Sequence, residues 1–103
     1  MLESKYQAHL IKKLQSLFPG CLVLKNDSSY LQGIPDLTVF IGQFWAMLEV
    51  KASATAPEQP NQRHYIEALN QMSFAAFIHP DNEEEVLDAL QQALESSWYS
   101  RVV

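Results

Sequence analysis

The sequence predicts an α/β domain in which a mixed β-sheet is flanked by helices, with the element order α-β-β-β-α-β-α. Three observations lead to this prediction. Apolar residues recur at helical spacing near the start, in the middle and near the end of the chain. Two short apolar runs flank the turn Gly42-Gln43, and a further apolar run follows the middle helix. The 103 residues, 48% of them hydrophobic, suffice for a single domain over 1–103 with its own core.

The first helix is predicted over Ser4 to Phe18, and Pro19-Gly20 ends it. Its apolar residues form a buried stripe: Tyr6, Leu10, Leu14 and Leu17. Glu3 extends this stripe and allows two interpretations. It is an inward-facing acid of a metal site, or it is an exposed residue of a frayed first turn, where the helix dipole favours a carboxylate.

Three short apolar strands follow in the predicted order: Cys21 to Lys25, Leu37 to Ile41 and Phe44 to Leu48. The last two form a β-hairpin around Gly42-Gln43, a glycine-first turn suited to two-residue hairpins. If this is the whole turn, Ile41 pairs with Phe44, and partner numbers keep the same sum along the strands. Asp36 then lies opposite Glu49.

The second helix is predicted from about Asn61 to Gln71, with three residues directed inward: Tyr65, Ile66 and Leu69. The run Phe74 to Ile78 is almost wholly apolar, which is typical of a strand covered on both faces. In the last helix, Asp81 and Glu84 resemble a capping box, and the core stripe comprises Val86, Leu87, Leu90 and Leu94.

The hairpin register brings two carboxylates and one ammonium group onto the same surface. Carboxylates on directly opposed strand positions repel each other, and strand alternation directs Lys51 to the same face as Glu49. Because Mg²⁺ is the usual partner of such a carboxylate pair, the pattern predicts metal-assisted hydrolysis of a phosphodiester. The alternative is a solvated hairpin edge on which Lys51 pairs with Glu49 or Asp36.

The segments Gly33-Ile34-Pro35-Asp36 and Glu49-Val50-Lys51 resemble the PD-(D/E)XK nuclease superfamily, and most closely its virus-type replication-repair nuclease (VRR-Nuc) domain. The resemblance implies a restriction-endonuclease-like core and DNA cleavage with Mg²⁺ or Mn²⁺. It also implies that Asp36, Glu49 and the Val50 carbonyl bind the metal and that Lys51 lies near the attacked phosphate. Stand-alone members of this family are typically homodimers that act on branched DNA such as Holliday junctions, so the resemblance implies the same assembly and substrate here.

The resemblance extends to residues outside these two segments. Glu3 matches the family's N-terminal glutamate as a further metal ligand, and Gln62 matches the glutamine that orients the metal site and its water. Lys25 and Arg63 are the expected contacts to nucleic acid, since an arginine fork suits phosphate oxygens. The alternatives are a glutamine on a helix rim without a special role and an arginine on a solvated surface.

The net charge of −5, with only seven lysines and arginines, argues against a simple DNA-binding module. Many acids lie on the last helix, away from the expected site, and bound divalent ions would offset Asp36 and Glu49. A single cysteine, Cys21, excludes an intramolecular disulfide. The first twenty residues contain three lysines and no long apolar run, so we expect no membrane association and a cytoplasmic protein, either cellular or encoded by a virus and acting in the host.

Two apolar features favour a homodimer. The chain ends in the aromatic and apolar segment 97–103, and the hairpin carries Phe40, Trp45 and Met47 on the face of the acids. These residues could instead pack on their own core. Two other function classes remain: a catalytically inactive nuclease-like subunit that binds DNA or a partner, and a small interaction protein with an accidental acid pair.

Overall fold

The computed structural model describes residues 2–102, with side chains up to Trp98, and its elements follow the predicted order. Their bounds are α1 Glu3–Leu17, β1 Leu22–Lys25, β2 Leu37–Ile41, β3 Phe44–Val50, α2 Gln62–Met72, β4 Phe74–Ile78 and α3 Glu83–Val102. The α/β fold class is therefore confirmed. Where both ends of an element were predicted, β2 and β4 have the predicted limits, and the limits of the other elements differ by at most two residues.

The four strands form one mixed sheet in the order β1-β2-β3-β4. β1 pairs with β2 and β2 with β3 in antiparallel orientation, whereas β4 runs parallel to β3. A parallel neighbour requires a crossover connection, and α2 supplies it. The sheet thus joins a hairpin to one β-α-β unit, and the acids of the hairpin lie next to the start of the crossover helix.

The predicted hairpin register is confirmed. Ile41 pairs with Phe44 and Leu37 with Leu48, and Gly42 has a φ of 60° in the two-residue turn. A positive φ at this position suits glycine. The next pair along the ladder would be Asp36 and Glu49, since Asp36 is the residue immediately before β2.

One face of the sheet packs against α1 and α3 and forms the main core. The central residues of this core are Tyr6, Leu10, Leu14, Leu37, Val39, Leu48, Val50, Ile78, Val86, Leu87 and Leu90. The predicted stripe of α1 is wrong at its last position, because Leu17 is exposed and Phe18 is buried. Phe18 continues the spacing of four residues from Leu14, and its N–H donates to the Leu14 carbonyl at the end of the helix.

On the opposite face, α2 contacts β3 and β4. β4 is therefore covered by α2 on one side and by α3 on the other, as its apolar run predicts. On the β1 and β2 side of this face, the side chains of Leu22, Leu24 and Phe40 remain exposed.

The predicted capping box of α3 is wrong. The helix begins at Glu83, so that Asn82 and not Asp81 precedes it. The Asn82 side chain accepts a hydrogen bond from the His79 N–H and donates one to the Phe77 carbonyl. An amide can donate and accept at once, which an ionised carboxylate cannot, and Asn82 thereby fixes the connection from β4 to α3.

None of the helices in the described part of the chain combines the length and the apolar composition that a membrane span requires.

Candidate active site

The end of the hairpin and the start of α2 enclose a cleft with a volume of about 450 Å³. Five of the predicted site residues line it together: Glu3, Asp36, Glu49, Lys51 and Gln62. Its other lining residues are Ser28, Gln32, Gly33, Ile34, Ala56, Pro57 and Gln59. The cleft therefore combines residues from the end of β3, from the starts of α1 and α2, and from the loops that precede β2 and α2.

Asp36 is held at both its backbone and its side chain. Its carboxylate oxygen Oδ2 accepts a hydrogen bond of 2.8 Å from the Val50 N–H, and its carbonyl accepts one of 2.8 Å from the Asn26 N–H. The Asn26 side chain in turn donates to the Pro35 carbonyl and accepts from the Thr38 hydroxyl. This network fixes the Asp36 carboxylate against β3 before any ligand binds.

Glu49 is buried, with 2% of its surface exposed. Its Oε2 accepts a hydrogen bond of 3.0 Å from the Gln62 side-chain amide and lies 3.7 Å from the Lys51 ammonium. Its Oε1 is buried and makes no hydrogen bond to a described residue. Leaving a carboxylate oxygen buried without a donor is costly, so this atom indicates a position where a ligand would be favourable.

Burial raises the pKa of Glu49 to about 8, and the nearby Asp36 carboxylate adds to the increase. The Lys51 ammonium opposes these effects, and the charge of Glu3 makes a further small contribution upward. Two acids in one low-dielectric pocket do not both ionise readily without a cation. The cleft thus favours the binding of positive charge, either as a proton or as a metal ion.

Lys51 is also buried, with 7% exposure. Its ammonium donates to Gln62 Oε1 at 2.8 Å and to the Pro57 carbonyl at 3.0 Å. Gln62 Oε1 accepts a second hydrogen bond of 2.8 Å from the Gln59 N–H. Gln62 therefore connects Glu49 to Lys51 at the start of α2.

The remaining predicted residues lie less centrally. Glu3 is the first residue of α1 and its side chain is exposed, as the second of its two interpretations expects, yet it also lines the cleft. Lys25 is exposed at the end of β1 and does not line the cleft. Arg63 is exposed, forms a two-pronged ion pair with Glu58, and lies 5.2 Å above the ring of Phe77.

Sequence reasoning missed three contributors to the site: Pro57, Asn26 and Thr38. The Pro57 carbonyl is a main-chain group, and a sequence pattern gives no indication that it would accept from Lys51. Asn26 and Thr38 hold the Asp36 segment, and a signal was present for Thr38: it is a buried polar residue within an otherwise apolar strand. Buried hydroxyl groups usually require a partner, which here is the side-chain carbonyl of Asn26.

The donor set fits a hard divalent cation. Asp36 and Glu49 provide carboxylates, and Mg²⁺ typically takes one or two carboxylates and keeps several waters. The unpartnered Glu49 Oε1 and the raised pKa of this residue agree with such a ligand. Within the part of the chain that the structure describes, however, no three His, Cys, Asp or Glu side chains come together as a metal-binding group. Carboxylates alone would therefore leave much of the coordination to water and backbone.

No protein-family model, curated protein or solved structure matches this chain in a comparison with each of these sets.

Proposed function

We propose that this protein is a metal-dependent DNA endonuclease that hydrolyses phosphodiester bonds, with branched DNA such as Holliday junctions as its substrate. The observation that carries the proposal is the arrangement of Glu49 in the cleft. It is a buried acid with one unpartnered oxygen, close to a second acid and to a buried lysine. The resemblance of the two hairpin segments to PD-(D/E)XK nucleases supports the same activity.

Asp36, Glu49 and the Val50 carbonyl would hold Mg²⁺ or Mn²⁺, with Glu3 at the rim of the cleft as a further acid. A divalent cation held there would supply stabilisation of charge on the phosphate and would lower the pKa of a water that attacks it. The ammonium of Lys51 would stabilise negative charge on the scissile phosphate. Gln62 would keep this ammonium oriented, because its Oε1 accepts from Lys51 while its amide donates to Glu49.

The charge distribution allows DNA to approach the cleft despite the net charge of −5. The acids Glu83, Glu84 and Glu85 lie in the first turn of α3, and α3 packs on the face of the sheet opposite the cleft. Arg63 is on the same helix as Gln62, and Lys25 is at the end of β1. Both side chains are exposed and are the expected contacts to phosphates.

We further propose a homodimer that uses an apolar strip on the face of the acids: Leu22, Leu24, Phe40, Trp45 and Met47. Leu22, Leu24 and Phe40 are 58%, 43% and 41% exposed, whereas Trp45 and Met47 are half-buried. Because the strip and the acids lie on the same face of the sheet, a second copy on this strip would bring the two clefts close to the interface, which suits a junction with two strands to cut. Trp98 at the end of α3 is also exposed, and the side chains of 99–103 lie outside the described part.

The activity is tested by incubating the protein with labelled duplex, single-stranded, flap and four-way-junction DNA in Mg²⁺, Mn²⁺ or EDTA. The proposal predicts cleavage that requires the metal, favours the junction and is lost in Lys51→Ala. Absence of cleavage of every substrate by folded protein in Mn²⁺ would contradict it.

Sedimentation of Phe40→Asp tests the dimer, with Leu17→Asp on exposed α1 surface as the control for an added charge. Equal masses for the two variants would contradict the interface.

A catalytically inactive nuclease-like subunit that binds DNA or a partner is the second candidate. The observation that favours it is the presence of only two close acids in the described site, which limits metal affinity. Calorimetric titration with Mn²⁺ distinguishes the two candidates. Tight binding that Asp36→Asn removes supports the nuclease, and absence of binding supports the subunit. Action in the cytoplasm of a cell or of a virus-infected host is compatible with either candidate.

A further inference from the structure

The loop before β2 and the turn before α2 approach each other closely at Gly33. Gly33 is buried and has a φ of 92°, a backbone conformation that residues other than glycine rarely adopt. A methyl group at this position would lie 2.6 Å from Cβ of Asn61, 2.8 Å from the Pro60 carbonyl oxygen and 2.9 Å from the Asn61 carbonyl carbon. Two of these three atoms belong to the backbone, so side-chain rotation cannot relieve the collision.

Asn61 is itself in an unusual conformation, with a φ of 70° and a ψ of −9°. Asparagine tolerates this left-handed region better than most residues. Its carbonyl accepts the Tyr65 N–H in the first turn of α2, and the adjacent Gln62 N–H donates to the Gln59 carbonyl. The left-handed residue thus fixes the direction in which the helix leaves the turn.

The residues next to this contact are those of the cleft. Asp36 follows Gly33 by three residues, and Gln62 follows Asn61 directly. Among the described residues, Gln62 provides the side-chain hydrogen bonds that connect α2 to the acid and to the lysine, at 3.0 Å to Glu49 and 2.8 Å to Lys51. A shift of the α2 start by a fraction of an ångström would therefore break or lengthen the contacts of Gln62 first.

We propose that Gly33 and Asn61 are positioning residues, whose close backbone contact sets the distance between the Asp36 segment and α2 and so holds Gln62 between Glu49 and Lys51. This inference deepens the proposed function and rests on it for its effect on cleavage. Its structural part is independent of any activity, because it concerns the hydrogen bonds of Gln62 in the protein without metal or DNA.

The matched variants are Gly33→Ala and Gly20→Ala. Gly20 has a similar φ of 84°, but nothing lies within 4 Å of a methyl group there. Both variants place an alanine in the strained left-handed region. Only Gly33→Ala is also expected to displace the start of α2, because only its methyl group meets Pro60 and Asn61. In NMR spectra of the metal-free protein, we expect the Gln62 side-chain amide to lose its hydrogen-bonded shift and its protection from exchange in Gly33→Ala alone. An unchanged Gln62 amide in folded Gly33→Ala would overturn the proposal.

A second pair keeps the test decisive if Gly33→Ala does not fold. Asn61 is exposed, so its substitution removes little packing. Asn61→Gly preserves the left-handed backbone, whereas Asn61→Val penalises it because a branched side chain is strained there. We expect Gln62 to keep its amide signature in Asn61→Gly and to lose it in Asn61→Val. Equal spectra for the two variants would overturn the proposal.

Cleavage kinetics separate positioning from general stability. Gly33→Ala is expected to lower kcat by roughly a hundredfold, as misplacement by about 1 Å can, with the KM for DNA unchanged. If it acts through Gln62, adding Gln62→Ala to Gly33→Ala will cause little further loss, whereas additive losses overturn the proposal. If the wild-type protein cleaves no DNA, the nuclease assignment fails, and the NMR comparison alone still decides the role of Gly33 and Asn61.

Discussion

Glu49 and Glu83 both have little solvent exposure, and they lie on opposite sides of the sheet. Their surroundings shift their pKa values in opposite directions. Glu83 joins α3 to α1, since its Oε1 accepts from the Tyr6 hydroxyl and its Oε2 from the Lys13 ammonium. Glu49 lies on the other face of the sheet, and its Oε1 has no donor in the described residues. One carboxylate is fully satisfied by the fold, whereas the other is not.

The opposite shifts follow from this difference. Burial alone would raise the pKa of Glu83, but the hydrogen bonds from Lys13 and Tyr6 outweigh burial and hold the pKa below its ordinary value. For Glu49, burial and the Asp36 charge raise the pKa by more than the Lys51 ammonium, 3.7 Å away, lowers it. We infer that a buried acid with complete partners serves the stability of the fold, whereas one with an unpartnered oxygen marks a binding position.

The largest expected effect is on cleavage. Glu49→Gln keeps the shape of the side chain but removes its charge, so we expect a loss of roughly 10³-fold in the cleavage rate, similar to the loss for Asp36→Ala or Lys51→Ala. Glu83→Gln is the matched control and should cleave at the wild-type rate. The comparison fails if both variants retain activity or if both lose it while still folded.

The next effect concerns the free energy of unfolding, which Glu83→Gln should lower and Glu49→Gln should not, the reverse of their effects on cleavage. Glu83→Gln weakens two hydrogen bonds of a charged group and should lower this free energy by about 1–3 kcal/mol. Tyr6→Phe removes one of these bonds and should cost about 1 kcal/mol. Glu49→Gln in EDTA should leave stability unchanged or increase it near pH 9, since it removes an ionised, incompletely solvated group. Urea denaturation measures all three, and a greater loss for Glu49→Gln would refute the division of roles.

The dependence of stability on pH should differ between the two acids. The pKa of Glu49 is about 8 in the fold and 4.5 ordinarily, so its favourable contribution is complete below about pH 4.5 and is lost as pH rises toward 8. The pKa of Glu83 is lowered, so its contribution is present above the ordinary value of 4.5 and is lost as the pH falls through the folded-state pKa. Denaturation of metal-free wild type and of both glutamine variants across this range measures each contribution.

The same shift predicts that a metal competes with a proton at Glu49. Mn²⁺ affinity should rise with pH up to about 8, and binding near neutral pH should release protons. Calorimetry in buffers with different ionisation enthalpies counts the released protons. Binding that releases none, or that weakens as the pH rises, would show that Glu49 is not a ligand.

The smallest expected effect concerns an exposed pair, Glu58 and Arg63, which provides a third case for the comparison. Hydrogen bonds to Arg63 lower the pKa of Glu58, but both groups are in solvent. Glu58→Gln should free Arg63 for phosphate and tighten DNA binding by about twofold at low salt. Asp88→Asn on α3 makes the same change in charge away from the cleft. If both variants bind equally well, the effect is one of net charge and not of Arg63.

The sequence was sufficient for the parts that depend on local geometry. The two-residue turn at Gly42-Gln43 determines the pairing of the hairpin, and that pairing brings Asp36 to Glu49. The spacing of apolar residues similarly identified the faces of α2 and α3. By contrast, the two wrong predictions, Leu17 in place of Phe18 and Asp81 in place of Asn82, lie at the end of α1 and at the start of α3. The limits of a helix depend on the geometry of its caps, which residue spacing alone does not specify.

The contacts that could not be predicted join segments that are distant in sequence. The hydrogen bond from Tyr6 to Glu83 spans 77 residues, and nothing in the pattern of either helix specifies it. The contact of Lys51 with the Pro57 carbonyl involves a main-chain atom whose position depends on a loop. The close approach of Gly33 to Asn61 likewise depends on how the loop before β2 packs against the turn before α2.

The hydrogen bond from the Val50 N–H to Asp36 has a consequence for the order in which the protein folds. It lies at the open end of a hairpin whose turn is only two residues long, so that closing the hairpin also brings the two acids together. Hairpins form within about 1–10 μs, because the loop to be closed is short. During synthesis, the acids can meet as soon as residue 50 is available, whereas Lys51 acquires its partner Gln62 only after a further segment has been made.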